Sequence, residues 1–225
     1  TPYKGHFTEL GFNAIAISGA RNCWVRNVRI RNCDSGAFIS GVNITLQDIV
    51  LTSERPIEKS RQATGHHGLT LSGQDNLLRE FDFRTRFMHD ITVTSGSAGN
   101  VVMAGRGVDL CFDHHKYAPH ANLFTDLDLG QGSRMFQSGG GANLGRNSAA
   151  YETFWNIRAR QPQAWPKGWG PDLMNFIGVQ SNGTSDISPT GRWFEAIEPG
   201  KLTPPNLYSA QLAKRLGTVS KSGEP

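Results

Sequence analysis

The sequence predicts an all-β fold, a right-handed parallel β-helix in which short strands wind into a solenoid that ends in a short C-terminal helix. Three observations predict this fold. A corner motif recurs with a period near one coil, a short alternating apolar segment follows each corner, and the chain has 26 glycines among 225 residues. Tight corners between strands favour glycine, and the length suits one domain.

The corner motif is a Ser-Gly pair followed within a few residues by asparagine. Its copies are Ser18-Gly19 before Asn22, Ser40-Gly41 before Asn43, Ser72-Gly73 before Asn76 and Ser95-Gly96 before Asn100, with Asn122 following alone. The asparagines are 21, 33, 24 and 22 residues apart, and the long interval contains a polar segment, residues 54–65, which we predict is a loop insertion. Because asparagine tolerates left-handed backbone at such corners, we expect the stacked asparagines to hydrogen-bond to each other along the axis.

A short strand follows each corner. The segments 24–30, 44–51, 77–83 and 123–129 alternate apolar and polar residues, so every second side chain faces the same side. One coil cannot bury that side alone, whereas stacked coils share a continuous core. The alternative is a β-sandwich, which places turns about every 8–12 residues and gives no reason for the longer repeat.

The repeat fades after Gly145. We predict strands at residues 152–158 and 193–197, a loop at 161–171, and a helix at 207–216 that Asn206 caps and Gly217 ends. Such a helix could cover the open end of the stack. The chain therefore divides into a β-helix domain over residues 1–200 and a C-terminal capping helix with a tail over residues 201–225. Within that tail, residues 218–225 are predicted to be disordered.

Composition excludes several classes of function. The formal net charge is +4 and the basic residues are scattered, which favours an anionic sugar over nucleic acid as the partner. No segment approaches the ~18 apolar residues of a membrane span. Three cysteines, Cys23, Cys33 and Cys111, give no disulfide framework and are expected to be buried small hydrophobes. Since the chain starts at Thr1 without a signal peptide, we expect the numbering to begin inside the longer precursor of a secreted or periplasmic protein.

The recurring Ser-Gly-x-x-Asn corner and the strand after it resemble the pectin-lyase-like superfamily of right-handed parallel β-helix proteins. The resemblance covers roughly residues 10–160. The phrases that carry it are residues 22–28, 112–115 and 154–158, together with the closing stretch 206–213. The superfamily contains polysaccharide lyases, glycoside hydrolases and phage tail proteins. The resemblance therefore implies a fold more firmly than a reaction, and it transfers no catalytic residue.

One candidate site is acidic. Asp82, Asp109 and Asp128 each lie between two apolar residues and are 27 and 19 residues apart, so we expect them to point outward in one column. Neighbouring carboxylates can supply a general acid and a general base for glycosidic hydrolysis, because their repulsion raises the pKa of one of them. They could instead hold Ca²⁺ or form an ordinary solvated face.

A second candidate site is basic and rich in imidazole. Its expected members are His66, His67, His89, His114, His115, Lys116, Arg84, Arg86, Arg106 and Arg134. We expect most of them to gather on one edge of the stack, with at most one of each adjacent histidine pair facing the site. Arginine can bind the carboxylate of a uronic acid, and His114 or His115, with Lys116 nearby, suits the base of a β-elimination. The alternative is that the histidines are corner or packing residues. No zinc-binding spacing is present, so we expect no metal other than Ca²⁺ and no further cofactor.

Two tryptophans, Trp165 and Trp169, could stack on sugar rings, although packing within a loop is the alternative. The leading hypothesis is a polysaccharide lyase that cleaves an acidic polysaccharide by β-elimination. The second is a glycoside hydrolase that uses two of the three aspartates on the same fold. The third is a non-catalytic β-helix that binds glycans or serves a structural role.

Overall fold

The computed structural model describes residues 10–59, 61–181, 186–187 and 191–218. Its strands wind into a parallel β-solenoid with one short C-terminal helix, so the predicted fold class is confirmed. Along the first five coils the chain alternates between two sheets, sheet A and sheet B. Each coil therefore contributes one strand to each sheet, and neighbouring strands of a sheet are parallel.

Sheet A has five strands, in the order β1 (Asn13–Arg21), β3 (Ser35–Val42), β5 (Gly65–Leu71), β7 (Phe87–Val93) and β9 (Phe112–His114). Sheet B has nine. It runs through β2 (Trp24–Arg31), β4 (Thr45–Thr52), β6 (Leu77–Phe83), β8 (Val101–Gly107), β10 (Leu123–Asp128), β11 (Thr153–Arg158), β12 (Asn175–Val179), β14 (Trp193–Glu195) and β13 (Asp186–Ile187). Only the pairing of β13 with β14 is antiparallel among these described strands. After β9 sheet A ends, and loops take its place on that side of the stack.

The core lies between the two sheets. Alternating apolar residues of each strand meet there, as the sequence predicts, and identical types recur at the same position of successive strands. Phe124, Phe154 and Phe176 pair in register, and the rings of Phe124 and Phe154 lie 4.9 Å apart and nearly parallel. Stacking of this kind buries aromatic area without a new cavity at each coil, so every coil is stabilised by both neighbours.

The predicted asparagine ladder is present at the corner from sheet A to sheet B. The side-chain amide of Asn43 donates to Asn22 Oδ1 at 3.2 Å, that of Asn76 to Asn100 Oδ1 at 2.9 Å, and that of Asn100 to Asn122 Oδ1 at 2.8 Å. The ladder is interrupted between Asn43 and Asn76, because Asn43 lies two residues before its strand and Asn76 only one, so the two do not occupy the same position. There Asn76 Oδ1 accepts from the backbone N–H of Ile44 instead.

A second ladder, which the sequence did not reveal, bends every strand of sheet B up to β12. One residue in each strand has a positive φ: Asn27, Asp48, Glu80, Ala104, Asp126, Asn156 and Gly178, with φ between 49° and 62°. Left-handed backbone in the middle of a strand turns the chain, so sheet B has two faces at an angle. Sequence pattern misses this ladder because glutamate and alanine are not residues that indicate a left-handed bend.

The C-terminal region contains the predicted helix, but this helix lies at a different place from the one predicted. Helix α1 spans Leu207–Arg215, and the Asn206 side chain accepts from Ser209 N at 3.0 Å. The backbone N–H of Leu207 donates to Thr125 Oγ1 at 3.0 Å. The helix therefore lies against β10 on the side of sheet B instead of across the end of the stack. Disorder was predicted for residues 218–225; Thr218 N donates to Ala213 O at 3.0 Å, and the other residues of that tail lie outside the described residues.

Two smaller expectations can be compared with the structure. Cys33 and Cys111 are buried as expected, whereas Cys23 is exposed, because it lies in the outermost described coil. Burial raises the pKa of the Cys33 thiol to about 11, which keeps it protonated and unreactive. Among the described residues, no helix is long and apolar enough to cross a membrane.

Candidate functional site

Four histidines and one aspartate converge on the outside of sheet A. We call this group the histidine pocket: His66, His67, His89, Asp113 and His115. Parallel pairing brings it together, since His67 aligns with His89 and Thr92 aligns with Asp113. The ring centroids of His66 and His67 lie 4.0 Å apart, those of His67 and His89 5.1 Å apart, and those of His89 and His115 5.2 Å apart. The expected gathering of histidines therefore occurs, with His114 excluded.

Asp113 holds His115. Its Oδ2 accepts from His115 Nδ1 at 2.8 Å and from Thr92 Oγ1 at 3.1 Å, and its Oδ1 accepts from Gly139 N at 2.8 Å. Burial acts to raise the pKa of Asp113, but the hydrogen bond from His115 and the adjacent imidazoles outweigh it, so the pKa is lowered. The same hydrogen bond raises the pKa of His115, whose side chain is 27% exposed. His115 Nε2 has no hydrogen-bond partner among the described residues and faces outward.

His67 and His89 differ from His115 because they are desolvated. Burial lowers the pKa of His67 to about 2 and that of His89 to about 4, so both imidazoles are neutral at physiological pH. Neither Nδ1 atom makes a hydrogen bond within the described structure. His89 Nδ1 lies 3.2 Å from Asp113 Oδ2 in a geometry that is not a hydrogen bond. The pocket thus contains unused polar atoms that a ligand could satisfy.

Three of these groups have the spacing of a metal-binding set. One ligand atom from each of His89, Asp113 and His115 lies within 4.8 Å of the other two, and no other such group occurs in the part of the chain that the structure describes. Two imidazoles and one carboxylate could hold a divalent transition metal. Asp113 and His115 are two residues apart in the sequence, but His89 joins them only through stacking of the coils.

A glycine loop, residues 139–141, covers the pocket. A Cβ atom on Gly139 would lie 2.6 Å from His115 Cε1 and 2.8 Å from His89 Cε1, so only glycine allows the backbone to approach the two rings. The Lys116 side chain packs against Gly140, and its Nζ donates to Gly145 O at 2.8 Å. The Lys116 ammonium therefore lies at the edge of this loop, half-buried and with donor capacity remaining.

His114, a predicted base, lies in the core instead of in the pocket. It is fully buried, its Nδ1 hydrogen-bonds to Phe112 O at 2.9 Å, and its Nε2 pairs with the Glu152 carboxylate. Burial acts to lower the pKa of His114, but the charge of Glu152 and both hydrogen bonds outweigh it and raise the pKa. Both ring nitrogens are occupied, so His114 has none left for a substrate.

The two adjacent histidine pairs behave differently. His114 and His115 face opposite sides of the strand, as expected for extended backbone. The rings of His66 and His67 are in contact, so the expectation that only one of them faces the site is wrong. Both rings are accommodated at the start of β5, where the strand enters from the corner.

Arg86, Arg134 and Asp109 form a buried ion-pair cluster at the corner from sheet B to sheet A. Asp109 accepts from Ser133 N at 2.8 Å and from Ser133 Oγ at 2.6 Å, and both arginines lie 3.5 Å from its Oδ2. The expectation that Asp109 points outward is wrong, because it follows the end of β8 and its carboxylate turns into the corner. Arg134 also pairs with Asp90, a fully buried residue that the sequence did not single out, and its charge contributes to lowering the pKa of His89.

Asp82, Arg84, Arg106 and Asp128 lie on sheet B, away from the histidines. Asp82, Arg106 and Asp128 occupy the same position of β6, β8 and β10, so acid and base alternate along the axis. Asp82 Oδ2 accepts from Arg84 Nε at 2.9 Å and from Arg106 Nη2 at 3.0 Å. Burial acts to raise the pKa of Asp82, but these two arginines lower it. The groove that they line has a volume of about 580 Å³. The predicted column of three carboxylates is therefore two carboxylates separated by an arginine.

The remaining candidates, Trp165 and Trp169, line a separate cavity of about 510 Å³. Asp113 is the member of the histidine pocket that the sequence analysis did not include, although it lies two residues before His115 and therefore on the same side of the strand. That spacing was the available signal.

Comparison of the chain with known protein families, with curated proteins and with solved structures finds no match.

Proposed function

We propose that this protein is a secreted, carbohydrate-active member of the pectin-lyase-like superfamily that cleaves an acidic polysaccharide by β-elimination in the histidine pocket. The observation that carries the proposal is the Asp113–His115 pair, in which a buried carboxylate orients an imidazole whose other nitrogen is open to solvent. The parallel solenoid and the corner motif support the assignment to the superfamily. A polysaccharide that is too large to enter a cell is cleaved outside it, so this substrate agrees with a secreted enzyme.

In this mechanism His115 Nε2 removes the C5 proton of a uronic acid residue. The electron pair forms the C4–C5 double bond, the C4–O bond breaks, and the departing oxygen takes a proton from water. Asp113 stabilises the imidazolium that forms on His115, because its carboxylate accepts a hydrogen bond from Nδ1–H and remains ionised. Lys116 follows His115 in the chain and its charge acts on the His115 imidazole, so it would neutralise the substrate carboxylate, which acidifies the C5 proton. Arg86 and Arg134 are already paired with carboxylates, and Arg84 and Arg106 lie on the other sheet.

The test is a screen of polygalacturonate, alginate, hyaluronan and chondroitin sulfate for unsaturated, ultraviolet-absorbing products. With the substrate that responds, His115→Ala should lower kcat by about 10²–10⁴-fold, the usual contribution of a general base. His120→Ala is the matched control, because His120 is exposed at a corner and should leave kcat unchanged. Full activity of the His115 variant would remove this residue from the mechanism.

Because His89, Asp113 and His115 could bind a metal ion, the same screen is repeated after removal of metal ions. A base that works through Asp113 needs no cation, so we expect activity to survive dialysis against a chelator. Loss of activity in the chelator, with recovery when zinc or manganese is returned, would contradict the role of His115 as a base and indicate a metal centre instead.

One observation favours the second candidate, a glycoside hydrolase on sheet B. Asp82 and Asp128 lie two strands apart, roughly 9.5 Å, near the upper end of the separation in inverting enzymes. The lowered pKa of Asp82 suits a base, which leaves Asp128 as the acid. This alternative predicts new reducing ends without ultraviolet absorbance and loss of activity in Asp82→Asn. A non-catalytic β-helix predicts saturable glycan binding without turnover.

A further inference from the structure

A second cavity lies in the late coils, where sheet A has ended. Its volume is about 510 Å³, within the range of small-ligand sites. Two indoles and two prolines supply its apolar wall, and two cations and one carboxylate supply its polar groups. The lining residues used below are Trp165, Lys167, Trp169, Asp172 and Arg192.

The cavity is next to the histidine pocket along the axis of the stack. The segment between β11 and β12, which carries both tryptophans, makes the connection that sheet A strands make in earlier coils. The ring of Trp169 lies 4.8 Å from that of His114, the residue immediately before His115. Because His114 faces the core and His115 faces outward, this contact places Trp169 over the inner side of the stack, next along the axis to the coil that carries the pocket.

The charges of the cavity leave one cation to bind an anion. Arg192 lies over the Trp165 ring at 5.2 Å and pairs with Asp172 at 3.0 Å, so this guanidinium is held in place and its charge is offset. Lys167 is exposed and has no ion-pair partner within the described residues. One positive charge beside two partly buried indoles, which pack against the core on their inner sides, suits a sugar ring that carries one carboxylate, because the ring packs on the indole surface that lines the cavity while the ammonium binds the acid.

We propose that this cavity is a binding subsite for one uronic acid residue of the polymer, remote from the point of cleavage. The identity of the polymer rests on the proposed function, whereas the recognition of a carboxylated pyranose rests on Trp165, Trp169 and Lys167. A remote subsite of this kind holds a long chain in register, so its removal weakens the binding of long oligomers more than that of short ones.

The test separates binding from cleavage. The probes are saturated hexamers and dimers of galacturonate and of mannuronate, with cellohexaose as the neutral control, titrated by calorimetry into His115→Ala protein. Lys167→Gln in that background should weaken the binding of an acidic hexamer about tenfold, the contribution of one charge-assisted hydrogen bond, and leave the dimer unchanged. Trp165→Ala should weaken it as well. Lys59→Gln and Trp24→Ala, both exposed on other surfaces, are the matched controls.

Unchanged hexamer affinity in Lys167→Gln, or no hexamer binding at all, overturns the subsite. Because Lys167 is exposed, this variant is expected to fold, and its circular dichroism and melting temperature confirm that. If the wild-type protein cleaves polymer while Lys167→Gln binds normally, the proposed function stands and the subsite fails. If no polymer is cleaved but Lys167→Gln loses affinity for the acidic hexamer, the subsite stands and the lyase proposal fails.

Discussion

The two sheets carry ionisable residues in the same stacked arrangement but in opposite electrostatic states. On sheet A the imidazoles of His67 and His89 are buried, and burial keeps them neutral. On sheet B the side chains of Asp82 and Arg106 are ion-paired, and Arg106 is exposed to water. The difference teaches that stacking alone does not make a reactive site. Desolvation under a loop leaves polar atoms unsatisfied, whereas an exposed ladder of opposite charges satisfies itself.

The largest expected effect comes from the buried pair next to the pocket. His114→Ala removes one partner of a fully buried charge pair and leaves the Glu152 carboxylate without it, which should cost about 3–5 kcal/mol of unfolding free energy. Urea denaturation measures this loss, with His120→Ala as the exposed control. A loss below about 1 kcal/mol would mean that water replaces His114 and that this part of sheet A is not desolvated.

The next effect is a pH dependence of stability that the neutral histidines impose. The folded-state pKa values of His67 and His89 are about 2 and about 4, below the usual 6.5. At a pH between each folded-state value and 6.5, the unfolded chain therefore binds more protons than the folded chain. Stability should therefore fall as the pH falls below about 6.5, and each histidine contributes a slope of up to about 1.4 kcal/mol per pH unit. The pKa values of His114 and His115 are raised by folding, so these two histidines act in the opposite direction. The stability that they contribute to the folded state is lost as the pH rises through their folded-state pKa values.

His89→Asn isolates the contribution of one buried histidine. Its urea midpoint, measured at several pH values from 4 to 7, should depend less on pH than that of the wild-type protein. An unchanged slope would show that His89 is solvated and titrates normally, and the contrast between the two sheets would then disappear.

A moderate effect is expected on the pH profile of catalysis. The base must be neutral, and its raised pKa places the rise of kcat/KM above the ordinary histidine range. Asp113→Asn removes the main cause of that shift, so the rise should move to lower pH while the maximum rate falls. A profile that does not move would mean that Asp113 does not act through His115.

The smallest effect is expected on sheet B. Arg106→Gln breaks an exposed ion pair with Asp82, and screening by solvent makes such pairs contribute little. The melting temperature should change only slightly at low salt, and the difference should vanish at high salt. A large loss of melting temperature that does not depend on salt would show that the Asp82–Arg106 pair is desolvated, as the buried groups of sheet A are.

Much of the fold could be predicted from residue pattern. The asparagine ladder, the insertion after β4, the strands β11 and β14 and the Asn206 cap all follow from local signals: corner residues, alternation and capping chemistry. The bend in each sheet B strand could not be predicted, because Glu80 and Ala104 have left-handed backbone although neither residue type favours it.

The candidate site was predictable only in part. Spacing near one coil predicted that His66, His67, His89 and His115 lie together, but the same spacing also included His114, Asp109 and the arginines of both sheets. Spacing gives the coil to which a residue belongs. It does not give the face, since a shift of one residue at a corner reverses which side chains point inward.

The sequence by itself determined that the chain stacks upon itself and that histidines recur at one level of successive coils, because periodicity and corner chemistry are local properties. The tertiary structure alone decided which histidines are desolvated and that Gly139 lies against the rings of His89 and His115. These features depend on burial and on contacts between residues more than twenty positions apart, and no local pattern encodes them.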